Sequence, residues 1–465
     1  MAIASSVGLG SGIDINSLVT QLVSSEGQPA FNAINRQETA YSTRLSGLGT
    51  LKSALSDFQS VVSKLKDGSL FKTHQATSSN ESVLKVTAGA GSVAGSHAIE
   101  VTQLAKTQNS ITTAEFVNGS AVVGNGSLTF TAGSGASFNL TVDSLSGNNT
   151  LSSLATAINS ASGNSFIKAS IINVDNANST GTISKLVLTA KDSGTVNAFT
   201  VSGTDGDGIV DNAGLSRIFS ANLFAQTPAS NAVIKVDGQT ATRSSNTMTD
   251  VLQGVTLDLK SELPGTQINV NVNLDNEAIK KTISDFVTAY NKFSATTKSL
   301  GKYGGSSDGS GNGALIGDST LRYVSTQVRQ YSVNTVSSAT GDYNSLAMVG
   351  IKIDKDGVMS LDSSKLNSAL SANLQSVSEV FASSDGVATR LNTRLNEFLQ
   401  SGGPLDSQES SLKKRLSGLQ DKRSDVQSRL DSLEKSLLKQ FTAMDIAVGQ
   451  FRNTGSFISN WVNSL

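Results

Sequence analysis

Between residues 412 and 437 the sequence repeats apolar residues in alternating steps of four and three. Leu412, Leu416, Leu419, Val426, Leu430, Leu433 and Leu437 fit one heptad register, and Arg423 is the polar residue on it. Such a repeat leaves little choice of structure. The apolar side chains fall on one stripe of a helix, and a partner must cover that stripe. Off the stripe, Glu409–Lys413, Asp425–Arg429 and Asp431–Lys435 each place an acid four residues before a base, the favourable order on a solvated helix face. At Phe441 the register slips by one residue, and Met444, Val448 and Phe451 carry it on. A long helix is predicted after Gly402-Gly403-Pro404, and it needs an apolar partner.

The other end of the chain has matching character. Ile15, Leu18 and Leu22 lie at i, i+3 and i+7, and Pro29 is expected to interrupt the helix. Leu48, Leu51, Leu55, Phe58, Val62 and Leu65 then step by three and four. Helical spacing returns near 276 with Ile279, Ile283, Phe286, Tyr290 and Phe293. After a Gly/Ser-rich loop at 301–313, Leu321, Val324, Val328 and Tyr331 predict another helix. Asp356-Gly357 marks a small hairpin, and Leu366, Leu370, Leu374, Val377 and Phe381 predict one further helix.

From about 73 to 275 the texture is different. Short alternating runs such as Ile99–Leu104, Phe138–Val142, Lys185–Thr189 and Ile268–Val272 read as half-buried strands separated by Gly and Asn turns. Thr150 followed by Leu151, Leu154, Ala155 and Ile158 predicts one short helix among them, and Asp237-Gly238 a hairpin turn. The order is helix, β block, helix. The economical arrangement folds both ends together and inserts the β block. The strands at 76–105 resemble those at 230–274, so the run between them reads as an insertion within an insertion.

Bulk chemistry narrows the function. The chain of 465 residues has net charge −1, against the basic surplus of a nucleic-acid protein. Cysteine is absent and only His74 and His97 could supply imidazole, so thiolate metal sites are excluded and imidazole catalysis is thin. Neither a membrane-spanning run nor a secretory signal peptide is expected: the first basic residue is Arg36, and Gly8, Gly10 and Gly12 break any apolar start. Charged residues make up 16% and the polar remainder is rich in Ser, Thr, Asn and Gly, a texture of extracellular bacterial β proteins.

The candidate chemical motifs fail on spacing. Gly8-Leu-Gly-Ser-Gly-Ile-Asp14 lacks the third glycine of a dinucleotide loop and the Lys-Ser/Thr of a phosphate loop. Asp14 instead reads as a helix cap. Thr204-Asp-Gly-Asp-Gly208 and Asp354-Lys-Asp-Gly357 put Ile209 or Val358 where a calcium loop needs ligands, so both read as turns. A weak cation site at Asp205, Asp207 and Asp211 is the one remaining option there. No cofactor is expected. His97 in a strand run reads as structural, and Lys413-Lys414-Arg415 as a solvated helix face.

Several stretches together resemble one family. They are Gly8–Val19, Tyr41–Phe58, Ile99–Ala105 (IEVTQLA), Asn246–Leu257 (NTMTDVLQGVTL), Asp285–Asn291, Asn312–Leu321 (NGALIGDSTL) and the final leucine-rich helix. The set, in this order, resembles the bacterial flagellar filament cap, hook-associated protein 2. The resemblance implies a multidomain α+β fold: a terminal helical coiled coil, a helical bundle built from both chain ends, and two nested β-rich head domains. The implied boundaries are 1–44 with 388–465, 45–75 with 275–387, 76–106 with 228–274, and 107–227 as the inner insertion. Ile15, Leu18, Leu22, Leu412, Leu416, Leu419, Val426, Leu430, Leu433, Leu437, Phe441 and Met444 would form the coil, oligomer or chaperone interface. Leu48, Leu51, Leu55, Phe58, Val62, Phe286 and Tyr290 would form the bundle seam.

The function implied is mechanical, not enzymatic. A ring-like homo-oligomer, a pentamer in the working cap, would sit at the distal filament tip outside the cell. It would retain exported flagellin, assist its folding and guide its insertion. Further partners would be hook-filament junction proteins and a cytoplasmic export chaperone, with no nucleic acid and no membrane insertion. The alternatives are a surface adhesin whose β heads bind host glycans, and a glycan-acting enzyme.

Overall fold

The computed structural model describes residues 11–463 except 177, 179, 307 and 308; Gly8 and Gly10 of the glycine motif lie outside them. The chain divides into two compact units, Met1–Phe71 with Asn276–Leu465, and Lys72–Asp275. The helices are α1 (Ile15–Val62), α2 (Leu151–Ser160), α3 (Asn276–Gly301), α4 (Ser319–Val333), α5 (Ser363–Ala372), α6 (Leu374–Ala382), α7 (Val387–Leu399) and α8 (Pro404–Val462).

In the helical unit, α1 and α8 run antiparallel. The second half of α1 and the start of α8 share one core with α3 to α7. Phe58 is a hub of that core, with ring centroids of Phe286, Tyr290 and Phe293 at 5.7, 6.1 and 6.0 Å. Leu48, Leu51, Leu55, Val62, Phe286 and Tyr290 are all buried around it. The helix starts follow local chemistry: Asp14, Asp318, Asp362 and Asn373 each cap a helix by accepting a backbone N–H.

Three sequence expectations are corrected here. Pro29 does not interrupt α1, which runs through it for 48 residues. Its missing N–H and ring clash cost about 3 kcal/mol locally, but Gly27 and Ile34 on either side are buried, so packing holds the helix across the defect. The single helix expected over 366–381 is two, α5 and α6. Asn373 ends the first and caps the second, its side chain accepting the Ser376 amide at 3.0 Å. Helix α7 was not anticipated, although Val387, Leu391, Leu395 and Phe398 carry its spacing and are buried.

The β unit holds two separate cores. The first lies between a five-stranded sheet, in order His74–Ser78, Ile268–Leu274, Gly95–Gln103, Ala232–Val236, Gln239–Arg243, and a three-stranded one, Thr247–Leu252, Val255–Leu259, Leu84–Ala88. Its two sequence halves therefore meet in one sheet. Asp237 and Gly238 have φ of +51° and +83°, which a two-residue hairpin requires. The second core lies between a sheet of Leu223–Thr227, Asn109–Thr112, Thr182–Ala190, Ile167–Asp175 and another of Ser137–Val142, Gly126–Ala132, Phe199–Asp205, with α2 against it. Every strand pair in the unit is antiparallel.

Candidate functional site: the paired terminal helices

The α1–α8 pair is a ladder of contacts far apart in sequence. At its outer end the Asp445 carboxylate accepts hydrogen bonds from the Ser11 amide and hydroxyl, both at 2.6 Å. Next, Leu430 packs on Gly27, and a Cβ there would meet Leu430 Cδ1 at 2.4 Å. Arg423 follows, donating to Asn35 and, at 3.0 Å, to Glu38, with its guanidinium 5.9 Å from the Phe31 ring centroid. Arg415 lies 5.9 Å from the Tyr41 ring centroid. Glu409 pairs with Lys52 at 3.7 Å and with Lys413 at 2.6 Å. The Lys413 ammonium, above all, holds the Glu409 carboxyl below its ordinary range.

Where the bundle meets the pair, Asn312–Leu321 acts as a wedge. Leu315 is buried, and Gly47 makes room for it: a Cβ on Gly47 would come within 2.9 Å of Ala314 and 3.0 Å of Leu315. Asp318 caps α4 with one oxygen and accepts Gln408 of α8 with the other, at 2.5 Å.

The heptad residues sort by exposure. Leu412, Leu419 and Leu430 are buried, while Leu416, Val426, Leu433, Leu437 and Phe441 are half-buried, as expected for a stripe covered by one helix. On α1, Ile15 is buried and Leu18 half-buried, but Leu22 is 43% exposed. Val19 and Gly27 take the covered positions instead. The expected i, i+3, i+7 stripe is thus displaced, because α8 follows the smaller residues and Gly27 allows a closer approach. Met444 is 46% exposed and lies outside the α1–α8 contact, where Asp445 turns inward to hold Ser11. Phe451 does not continue the seam either; it is 77% exposed. Beside Gly27 a groove of about 420 Å³ opens between the two helices, lined by Val23, Gly27, Phe31, Leu430, Asp431 and Glu434.

The other sequence candidates have structural employment. Asp205 is buried and accepts the Ser216 amide at 2.6 Å, while Asp207 and Asp211 accept the amides of Ile209 and Ala213. Among the described residues no group of three His, Asp or Glu is placed to hold a metal ion. His97 Nδ1 lies 2.8 Å from Asp237, whose other oxygen accepts the Ala98 amide. That arrangement pins the hairpin turn.

Comparison with known proteins decides the lineage. The model of the flagellar hook-associated protein 2 N-terminus matches residues 11–108, and that of its C-terminus matches 229–453. The A-type flagellar hook-associated protein 2 of Pseudomonas aeruginosa is 32% identical, over 98% of this chain and 97% of its own length. The chain belongs to the flagellar hook-associated protein 2 family. Flagellar hook-associated protein 2 of Escherichia coli K12 is likewise 32% identical, over 99% and 98% of the two chains. The crystal structure of the D1-D2-D3 domains of the flagellar cap protein FliD from Escherichia coli matches with a TM-score of 0.65 and 31% identity. It covers 79% of this chain and 99% of that one. The two hook-associated protein 2 models leave 109–228 between them, which is the second β core.

Proposed function

We propose that this protein caps the growing flagellar filament at its distal tip, outside the cell. In this reading several copies, five in the working cap, form a plate that retains exported flagellin, assists its folding and guides its insertion. No bond is made or broken. Itself, flagellin, the hook-filament junction proteins and a cytoplasmic export chaperone are the partners. The division of labour follows the four sequence segments: 1–44 with 388–465 grips the filament end, 45–75 with 275–387 stiffens the subunit, and 76–106 with 228–274 and the inserted 107–227 form the plate.

The observation that carries this reading is the far end of α8. Beyond Asp445, opposite Ser11, the helix continues to Val462 with Ile446, Phe451, Phe457 and Ile458 all more than half exposed. Leu22 and Met444 add to the uncovered apolar surface. An exposed stripe of this length suits a helix that completes its packing against other subunits and needs a chaperone before then. The glycan-adhesin reading gains nothing comparable. Of the seven phenylalanines in 107–227, Phe116, Phe130, Phe138, Phe166, Phe199 and Phe219 are buried in the core, and Phe224 alone is exposed, which makes no aromatic platform.

The test is deletion of the gene, with flagellin assayed in the medium and filaments viewed by electron microscopy. Monomeric flagellin in the medium with hooks and no filaments supports the cap. Normal filaments would overturn it.

A further inference from the structure

The helical unit has a second cleft, of about 470 Å³, between α3 and α4. One face of α3 supplies Tyr290, Ser294 and Lys298, and one face of α4 supplies Arg322, Ser325 and Arg329. Phe293 and Leu321, both buried, form its floor. The hairpin turn Asp354–Gly357 closes one end: Lys298 donates to the Asp356 carbonyl, Arg329 to the Asp354 carbonyl at 3.1 Å, and Ser294 to the Gly357 carbonyl at 3.0 Å. These acceptors are neutral. Among the described residues Lys298, Arg322 and Arg329 form no ion pair. Among the described residues Asp356 is the one acid lining the cleft, and the Asp354 carboxylate is engaged by the Val358 amide at 2.8 Å. Three cations against a single acid make a cleft that attracts anions.

The spacing says which kind. Arg322 and Arg329 are seven residues apart on one helix face, about 10 Å along the axis at about 1.5 Å per residue. Two carboxylates on a peptide reach both.

We propose that this cleft binds an acidic peptide segment carrying two carboxylate side chains about 10 Å apart, on the rise per residue used above. Arg322 and Arg329 each hold one carboxylate, and Lys298 adds field between the turn and the peptide. The proposal stands apart from the capping reading and does not depend on it.

The test uses the full chain and a labelled alanine-based helical peptide with glutamates at i and i+7, read by fluorescence anisotropy at low salt. The control peptide has glutamines there. The expected result is binding about tenfold tighter for the glutamate peptide, falling towards equality as salt is raised. In R322Q/R329Q the preference disappears while the far-ultraviolet circular dichroism stays that of the folded wild-type chain, with a small drop in thermal midpoint from the lost Arg329–Asp354 hydrogen bond. Equal binding of the two peptides overturns the proposal, as does a preference that survives in the double variant. Inorganic phosphate that displaces the peptide better than sodium chloride of equal ionic strength also overturns it, and leaves a small-anion site only.

Discussion

Leu430 Cδ1 occupies the space next to Gly27 so closely that a Cβ on Gly27 would lie 2.4 Å from it. The two helices approach there only because one of them has no side chain. Gly27→Ala adds helix propensity of about 1 kcal/mol but overpacks the contact at a cost of about 1–3 kcal/mol. The net expectation is destabilisation of the pair by about 1 kcal/mol, less if Leu430 rotates into the neighbouring groove. Gly27→Leu fills that groove and separates the helices. Thermal melts followed by circular dichroism should rank wild type above Gly27→Ala above Gly27→Leu.

Pro29 gives the opposite expectation. It is exposed within a continuous α1, so replacing it disturbs no packing. Pro29→Ala restores a backbone bond and should stabilise the helix pair by about 2 kcal/mol. An unchanged or lower melting temperature would show that α1 bends at Pro29 in a way the pairing needs.

Asp445 should act locally. Its carboxylate holds the amide and hydroxyl of Ser11 across 434 residues of sequence. Asp445→Ala leaves those donors without their acceptor, at about 1–3 kcal/mol. Amide hydrogen exchange at 11–18 should speed up by about tenfold or more, with the α1 amides near Phe58 unaffected. Uniform loss of protection along α1 would instead make Asp445 part of a single cooperative pair.

The segment 337–341 should be acid-sensitive. Burial pushes the Asp385 carboxyl up, but hydrogen bonds from the hydroxyls and amides of Ser337 and Ser338 outweigh it and hold the group far below the usual carboxylate range. The Thr340 amide, then the Gln375 side chain, lower Glu379. Both groups titrate lower folded than unfolded. Their contribution is therefore complete above about pH 5 and is lost progressively as pH falls from there through the folded values. Exchange protection at Ser337, Ser338, Thr340 and Gly341 should fall below that point while the α3 core stays protected. Asp385→Asn should remove most of the pH dependence at Ser337 and Ser338.

Much of the architecture was legible because it is written in period. Leu412, Leu419 and Leu430 are buried on the heptad, and Leu51, Leu55 and Phe58 on the three-four spacing, since amphipathic helices must hide such stripes. The hairpin at Asp237-Gly238 was legible because few residues tolerate positive φ. The displaced residues at the site had no such signal. Leu22 and Val19 are both apolar, and only the partner helix decides which is covered. Asp445 is polar, so a hydrophobic register passes over it and selects Met444. The Asn373 break was missed for a similar reason: apolar spacing runs through it, while a capping side chain ends one helix and starts another.

The long-range ladder also fixes an order of events. Ser11 and Asp445 are 434 positions apart, so α1 leaves any site of synthesis or passage long before its partner. The first core can close its five-stranded sheet only after Ile268–Leu274 has arrived. Closing so wide a loop by chance is slow, and the β cores shorten the effective gap by bringing Thr73 and Asp275 together. The first helix made thus has to wait for the last one before its outer half can be covered.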